Sequence, residues 1–373
     1  MQNVWRNGNC FALFPESDRY LPELLTSIDN ASESVLVEQY LVESGEFTDR
    51  ILDALIRAAG RGVHVQVLLD HVGSQGFSQA DQRRLTSAGI ALAFFNPLSR
   101  IRWCHNLRRD HRKLMLIDRR VAYTGGVCFT DEFLGSWYDL LVRIEGPVVN
   151  DWLLLFRRLW NSPGVRGPHK EVSAYKATAI SAARPQHENM RGRVIWGRGR
   201  LHQAIRFSLQ AQINRARRRV WLYTPYFIPT FSLRQSLQQA AQRGVDVRLL
   251  VAGRNHDHPT VRHAGRSYYG RLLKAGVRIY EYQASFTHAK LCLVDDWCTL
   301  GSCNFDHWSL RWNLEANQEV DDRQFASEVA ATFESNLSRS QEISFASWRE
   351  RSVTQKLLRR VLGTLSAWMT FIR

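Results

Sequence analysis

Residues 50–70 read RILDALIRAAGRGVHVQVLLD, and residues 232–253 read SLRQSLQQAAQRGVDVRLLVAG. In the first, Leu52, Leu55, Ile56 and Ala59 recur at helical spacing, and Gly60 and Gly62 are stop signals. Each passes through Gly-Val directly into a β-branched run, VHVQVLLD or VDVRLLVAG, with the composition of a buried strand. Working outward, SVLVEQYLV (34–42) precedes the first and RVWLYTPYFIP (219–229) the second. RRLTSAGIALAFF (83–95) and GRLLKAGVRIYEY (270–282) follow, each a helix ending in Ala-Gly and then a strand. The order strand, helix, strand, helix, strand therefore occurs twice, which predicts an α/β chain of two similar lobes with parallel or mixed sheets. Residues 162–192 lack periodicity and hold three prolines and three glycines, as a linker does. The expected division is a lobe over 1–161, the linker, a second lobe over 193–345, and a distinct segment over 346–373.

A chain of 373 residues, 45% hydrophobic and 23% charged, has the composition of a globular protein of two domains. No run of about 18 apolar residues predicts a transmembrane helix, and MQNVWRNGNCFALFP at the start does not read as a signal peptide. The six cysteines are scattered without a Cys-x-x-Cys pair, so neither a zinc site nor a disulfide scaffold is expected and a reducing compartment is. Fifty basic against 35 acidic residues give a formal charge of +15, which favours anionic partners: nucleic acid, acidic lipid or a phosphorylated substrate. Only six of the basic residues are lysine.

Two of those six lysines sit in a repeated pattern. DHRKLMLIDRRVAYTGGVCFTDEF (110–133) and THAKLCLVDDWCTLGSCNFDHWSL (287–310) both contain His-x-Lys-x4-Asp: His111, Lys113, Asp118 and His288, Lys290, Asp295. KLMLI and KLCLV are strand sequences, and side chains two apart on a strand share a face, so each imidazole projects beside a fixed positive charge. That pairing suits a phosphate, the lysine neutralising oxygens while the histidine approaches phosphorus. Each aspartate lies an odd number of residues from its histidine, on the opposite face and roughly 23 Å along the strand, where it anchors the turn. Small residues follow, Gly125-Gly126 and Gly301-Ser302, where backbone can approach a phosphate closely, and Asn304 offers an amide donor. Asp139 and Glu315 lie at matching distances after the two histidines, and each can fold back to hold an imidazole tautomer.

The paired motifs, with VRIEGPVV (142–149), TPYFIP (224–229) and GSCNFDHWSLRWNLEAN (301–317), resemble the phospholipase D superfamily, and within it the B-type bacterial cardiolipin synthases. The resemblance covers about residues 8–345. It implies two lobes related by a pseudo-twofold axis with one active site between them, built on His111, Lys113, Asp118, His288, Lys290 and Asp295. It also implies that one histidine forms a phosphohistidine while the other protonates the leaving alcohol. His111 is assigned as nucleophile and His288 as acid/base, a choice the sequence alone leaves symmetric. Lys113, Lys290 and Asn304 stabilise the pentacoordinate phosphorus, with Ser302 and Gly126 as further phosphate contacts. No metal or other cofactor is called for, and His256 and His258 in NHDHPTVRH read as a solvated loop. Cys128 stands where the family usually has asparagine, and the turn after Asp295 is one residue shorter than that after Asp118.

The implied activity is phosphatidyl transfer between two phosphatidylglycerols, giving cardiolipin and glycerol. Exchange on phosphatidylethanolamine, hydrolysis, or cleavage of nucleic acid by a basic nuclease of the same superfamily are the alternatives. Against the last, SWRERSVTQKLLRRVLGTLSAWMTFIR (347–373) reads as a basic amphipathic helix suited to an anionic phospholipid surface, with nucleic acid given no role. Tyr40, Tyr226 and Phe227 are candidate lipid contacts. The expected location is peripheral, on the cytoplasmic face of the cell membrane, and the presence of both motifs in one chain requires no oligomer.

Overall fold

Glycines 62 and 244, both at φ +86°, turn the chain out of equivalent helices and into equivalent strands, so the repeat seen in the sequence is also a structural repeat. The computed structural model describes residues 3–98, 106–167, 189–198, 202–306, 309 and 312–349. The first lobe comprises β1 (Arg6–Pro15), α1 (Ser17–Asp29), β2 (Ser34–Gln39), α2 (Glu46–Gly60) and β3 (His64–Asp70). It continues with α3 (Gln79–Ser87), β4 (Ala91–Phe95), β5 (Leu114–Ile117), β6 (Val121–Gly125), β7 (Trp137–Tyr138), β8 (Leu140–Glu145), α4 (Val149–Trp160) and β9 (Val165–Arg166). The second opens with β10 (Met190–Arg198), β11 (His202–Gln203), α5 (Ala204–Arg215), β12 (Arg219–Thr224), α6 (Phe231–Gln242) and β13 (Asp246–Ala252). It goes on through α7 (Pro259–Arg266), α8 (Tyr269–Lys274), β14 (Arg278–Tyr282), β15 (Phe286–Thr287), β16 (Leu291–Val294) and β17 (Trp297–Gly301). β18 (Leu314–Asp321), α9 (Arg323–Ser338), β19 (Ser340–Ile343) and α10 (Phe345–Arg349) complete it.

The strand orders match position by position. The first lobe runs β9-β4-β3-β2-β5-β6-β8-β1, and the second β19-β14-β13-β12-β16-β17-β18-β10. In each, three parallel strands from the βαβ units adjoin an antiparallel set carrying the motif strand, β5 or β16. The start of β1 pairs with β10, joining the two sheets. Thus the segment read as linker is partly built in: Val165–Arg166 pairs with β4, and β10 begins at Met190.

Apolar residues fill three clusters. Two lie under the helices of one lobe each, around Ile51, Leu55 and Val67, and around Leu237, Leu249 and Ile279. The third lies between lobes, where Trp152 and Phe156 of α4 and Phe325, Val329 and Phe333 of α9 join residues of both sheets. Each such large side chain contributes about 1.5–3 kcal/mol by leaving water. Trp152 also donates its indole N–H to Gln318 Oε1 at 2.9 Å, a polar tie inside that interface. Among the described residues no helix is long and apolar enough to cross a membrane.

The motif aspartates sit at the far end of their strands. Asp118 (φ +51°) accepts from the backbone N–H groups of Ser32, Glu33 and Ser34, at 2.9, 2.7 and 2.9 Å. Asp295 (φ +54°) does the same with Arg217, Arg218 and Arg219, at 3.0, 2.9 and 3.1 Å. Each therefore pins the chain as it enters the first parallel strand of its lobe. Both aspartates anchor the turn, as their spacing indicates, and their carboxylates are bonded there, whereas the motif histidines meet Glu315 and Asp139. The one-residue difference between the turns stays in the hairpins: Ile117 faces Val121, whereas Val294 faces Trp297.

Both aspartate carboxyls are held below the ordinary carboxylate range by these amide donors, against the opposing effect of burial. Their stabilisation is thus present above the unfolded-state pKa near 4 and is lost as pH falls through the depressed folded value. Asp118→Ala and Asp295→Ala are each expected to cost about 1–3 kcal/mol, leaving three amides unpaired. Thermal unfolding at neutral pH should show the loss, and the gap to the parent chain should narrow below pH 3.

Candidate active site

Where β5 and β16 begin, the chain is buried on all sides. His111 and Lys113 precede Leu114, which faces Glu38 of β2, and His288 and Lys290 precede Leu291, which faces Tyr223 of β12. The alternation holds, because each lysine folds back over its own histidine: Lys113 Nζ donates to the His111 carbonyl at 2.7 Å, and Lys290 Nζ to that of His288.

The carboxylate partners are exchanged between lobes. His111 Nδ1 lies 2.9 Å from Glu315 Oε1, and His288 Nδ1 lies 2.9 Å from Asp139 Oδ2. The within-lobe pairing implied by the matching sequence distances is therefore replaced by a crossed one. Backbone register explains the crossing. The His111 N–H donates to the Leu314 carbonyl at 3.0 Å, immediately before Glu315, and Leu314 N–H donates to Arg109 O at 2.8 Å. Equivalently, His288 N–H donates to the Tyr138 carbonyl at 2.7 Å, immediately before Asp139, where β7 and β15 pair in parallel. With Nδ1–H directed at a carboxylate, Nε2 is the atom each imidazole has free for reaction.

Several residues expected to meet the substrate instead build these carboxylates into place. Ser302 is fully buried and donates its hydroxyl to Glu315 Oε2 at 2.5 Å. A Cβ on Gly126 would lie 2.2 Å from Asp139 Oδ2, so this glycine makes room for the carboxylate. Asn304 is buried, with its amide nitrogen 3.3 Å from Ser309 Oγ and its Oδ1 unpartnered among the described residues. Cys128 is buried with Sγ 3.7 Å from the Gly126 carbonyl, and burial pushes its thiol up, so it stays protonated at neutral pH.

Aromatic rings wall the site. Tyr40 lies 4.8 Å from the His111 ring, with Lys113 Nζ 5.1 Å from the Tyr40 centroid. Tyr226 lies 6.3 Å from His288, its hydroxyl donating to Asp257. Phe227, by contrast, is 5% exposed inside the second lobe's apolar cluster, and is a core residue rather than a lipid contact. His256 is tucked against Phe286 at 5.4 Å and Tyr226 at 5.6 Å, while His258 is exposed, so only the latter fits the solvated-loop expectation.

Two groups went unread in the sequence. Trp137, Phe133 and Phe286 crowd His288 at 5.7, 5.7 and 6.2 Å. Behind His111 lies an ionic layer: Arg112 Nε sits 2.7 Å from Glu38 Oε1 and 3.0 Å from Asp110 Oδ1, while Arg109 lies 3.3 Å from Asp70. Strand alternation carried a signal for it, since residues 110 and 112 face away from 111 and 113. Behind His288 the layer is neutral, Thr287 donating to the Tyr223 hydroxyl at 2.7 Å.

Burial lowers the pKa of both histidines, that of His288 to about 4, with Lys290 adding to the effect and Asp139 opposing it. Each imidazole also feels the other lobe's lysine, which marks the four groups as one electrostatic cluster. Burial brings Lys290 down to about 8, with Asp139 pulling it back up. Two neutral imidazoles beside two lysines make an arrangement suited to an anion, whose charge would raise the imidazole pKa.

Comparisons with known proteins identify the family and the fold. The model of the family described as "Cardiolipin synthase, PLD-like domain" matches residues 24–160 and 209–337. Cardiolipin synthase B of Salmonella typhimurium is 34% identical over 334 residues, 87% of this chain and 79% of that protein. Cardiolipin synthase A of Pectobacterium atrosepticum is 32% identical over 376 residues, 95% and 74% of the two chains. Among solved structures, phosphatidylserine synthase of Haemophilus influenzae superposes with a TM-score of 0.77 at 16% identity, covering 100% of this chain and 98% of that one.

Asp139→Asn and Glu315→Gln should each lower kcat by about 10²–10⁴-fold with the fold retained, because the amide no longer fixes the Nδ1–H tautomer. In kcat/KM against pH, the acid limb should lie below the usual histidine value near 6.5. The alkaline limb should fall near 8, as Lys290 loses its charge.

Proposed function

This chain belongs to the phospholipase D-like family of the cardiolipin synthases and is a phosphatidyltransferase; from that premise we propose that it joins two phosphatidylglycerols into cardiolipin and glycerol through a phosphohistidine. The observation that carries the proposal is the pair of crossed imidazole–carboxylate contacts, which prepare two Nε2 atoms beside two lysines. His111 Nε2 forms the bond to phosphorus while the bond to the departing glycerol oxygen breaks, and protonated His288 delivers its proton to that oxygen. The hydroxyl of the second phosphatidylglycerol then attacks phosphorus, its proton passing to the now neutral His288 as the P–N bond breaks. Lys113 and Lys290 offset the charge that accumulates on the equatorial oxygens. The buried Asn304 side-chain amide nitrogen, which donates to Ser309 Oγ only at 3.3 Å, is the neutral donor assigned to a phosphoryl oxygen.

The two layers behind the histidines fit this division of labour. The aromatic surround of His288 excludes water from the proton-transferring group, which favours a lipid alcohol over hydrolysis. Membrane attachment is assigned to the basic amphipathic segment 346–373, of which residues 350–373 lie outside the described residues. On this reading the enzyme acts peripherally, on the cytoplasmic face of the cell membrane.

Labelled phosphatidylglycerol vesicles incubated with the purified chain, without added metal, should yield cardiolipin and free glycerol on thin-layer analysis. Phosphatidic acid as the main product would make it a hydrolase. His111→Ala and His288→Ala should each abolish turnover, and substantial activity in either would remove the two-histidine mechanism. Deleting residues 347–373 should weaken co-sedimentation with acidic vesicles while leaving the lobes folded.

A further inference from the structure

A cavity of about 840 Å³ opens beside the first lobe's half of the active site, between the end of β4, α4, the end of β10 and the start of β18. Two of its lining residues, Arg112 and Leu314, adjoin His111 and Glu315 in the chain. Leu314 is also the residue whose carbonyl receives the His111 N–H. The cavity therefore shares a wall with the reacting centre without containing any of its imidazoles, lysines or carboxylates.

Its lining is of two kinds. Phe95, Leu155, Leu159, Trp196 and Leu314 supply an apolar wall. Arg108, Arg112, Arg158, Arg166 and Arg198 supply positive charge, and no described lining residue is acidic. Arg112 is committed to Glu38 and Asp110. The other four form no ion pair among the described residues and are exposed at the mouth, with Arg158 held over the Trp196 ring at 5.3 Å. Uncovered apolar side chains continue outward: Leu98, which lines the cavity, is 54% exposed, and Leu154, one helical turn before Arg158, is 51% exposed. A ligand that satisfies both kinds of surface has an anionic head and an apolar body. Inorganic phosphate uses only the arginines, and a neutral lipid only the wall.

The geometry points to this cavity as the seat of a second anionic phospholipid, its phosphate among Arg108, Arg158, Arg166 and Arg198 and the first part of its acyl chains along Leu155, Leu159 and Trp196. This inference rests on the proposed reaction for the choice of lipid: Arg112 faces away from His111, so the seated phosphatidylglycerol lies behind the reacting centre and holds the enzyme against the bilayer that supplies its substrates. The volume falls within the range of small-molecule pockets, so the outer parts of the chains stay in the bilayer.

The test uses the full chain carrying His111→Ala, so that nothing turns over, titrated calorimetrically with dihexanoyl phosphatidylglycerol below its micelle concentration. Two molecules should bind per chain. Arg158→Glu with Arg198→Glu should weaken one of the two by about tenfold or more, and Arg158→Gln with Arg198→Gln should give a smaller loss. In the otherwise unaltered enzyme the double charge reversal should raise the apparent KM for phosphatidylglycerol by a similar factor with little change in kcat. A single binding event in the His111→Ala chain, or two events unaffected by the charge reversal, would overturn the assignment. So would competition by inorganic phosphate at equal affinity, equal binding of dihexanoyl phosphatidylcholine, or displacement by a DNA oligonucleotide. If the unaltered chain makes no cardiolipin but the two binding events and their arginine dependence hold, the lipid site stands and the proposed reaction fails. If cardiolipin forms and the charge reversal changes neither binding nor KM, the reaction stands and the lipid site fails.

Discussion

The exchange of carboxylates between lobes is the constraint on which the rest of the active site depends. An imidazole that is to act through Nε2 needs its Nδ1–H held, and here the holding group always comes from the opposite half of the chain. The register that delivers it is a backbone matter: the histidine N–H is bonded to the carbonyl just before the carboxylate residue, at 3.0 Å in one case and 2.7 Å in the other. Around that register the small residues make sense. Gly126 leaves room for Asp139, and the Ser302 hydroxyl occupies a Glu315 oxygen. The shared core of α4 and α9 then keeps the two halves at the separation these bonds require.

Within this symmetric frame the two histidines have different surroundings. Glu38, Asp110 and Arg112 form a buried charged layer behind one, with Asp70 and Arg109 beyond it. Tyr223, Thr287 and Tyr138 form a neutral layer behind the other, with the rings of Trp137, Phe133 and Phe286 against its imidazole. A charged layer stabilises charge separation near the first imidazole more than the neutral, hydrogen-bonded layer does near the second. The backbone repeat and the chemical asymmetry are thus independent properties: the strand order is the same in both lobes, while the groups mounted on equivalent strands are not.

Much of this was legible in the sequence because it depends on local periodicity. The helix and strand alternation around Gly62 and Gly244, the shared face of each His-Lys pair, and the odd spacing that sends Asp118 and Asp295 to the far turn all follow from residue spacing along one segment. What was not legible depends on distant segments meeting. Asp139 and Glu315 stand at nearly equal distances from their own histidines, and nothing in that spacing distinguishes a fold-back from a crossing. Gly126 and Ser302 carry the small-residue signature of a phosphate loop, yet their size is set by the carboxylates behind them. Phe227 looked like its neighbour Tyr226, but strand and loop geometry turned one into the core and left the other at the site.

The crossed pairing also has a bearing on descent. A lone ancestral lobe could have braced its histidine only by borrowing the carboxylate of an identical copy across a twofold axis, so every mutation would have struck both halves at once. Fusion of two copies into one chain frees each half to change by itself. Cys128 opposite Asn304, and Glu38 opposite Tyr223, are changes that a symmetric pair of identical lobes could not have made singly.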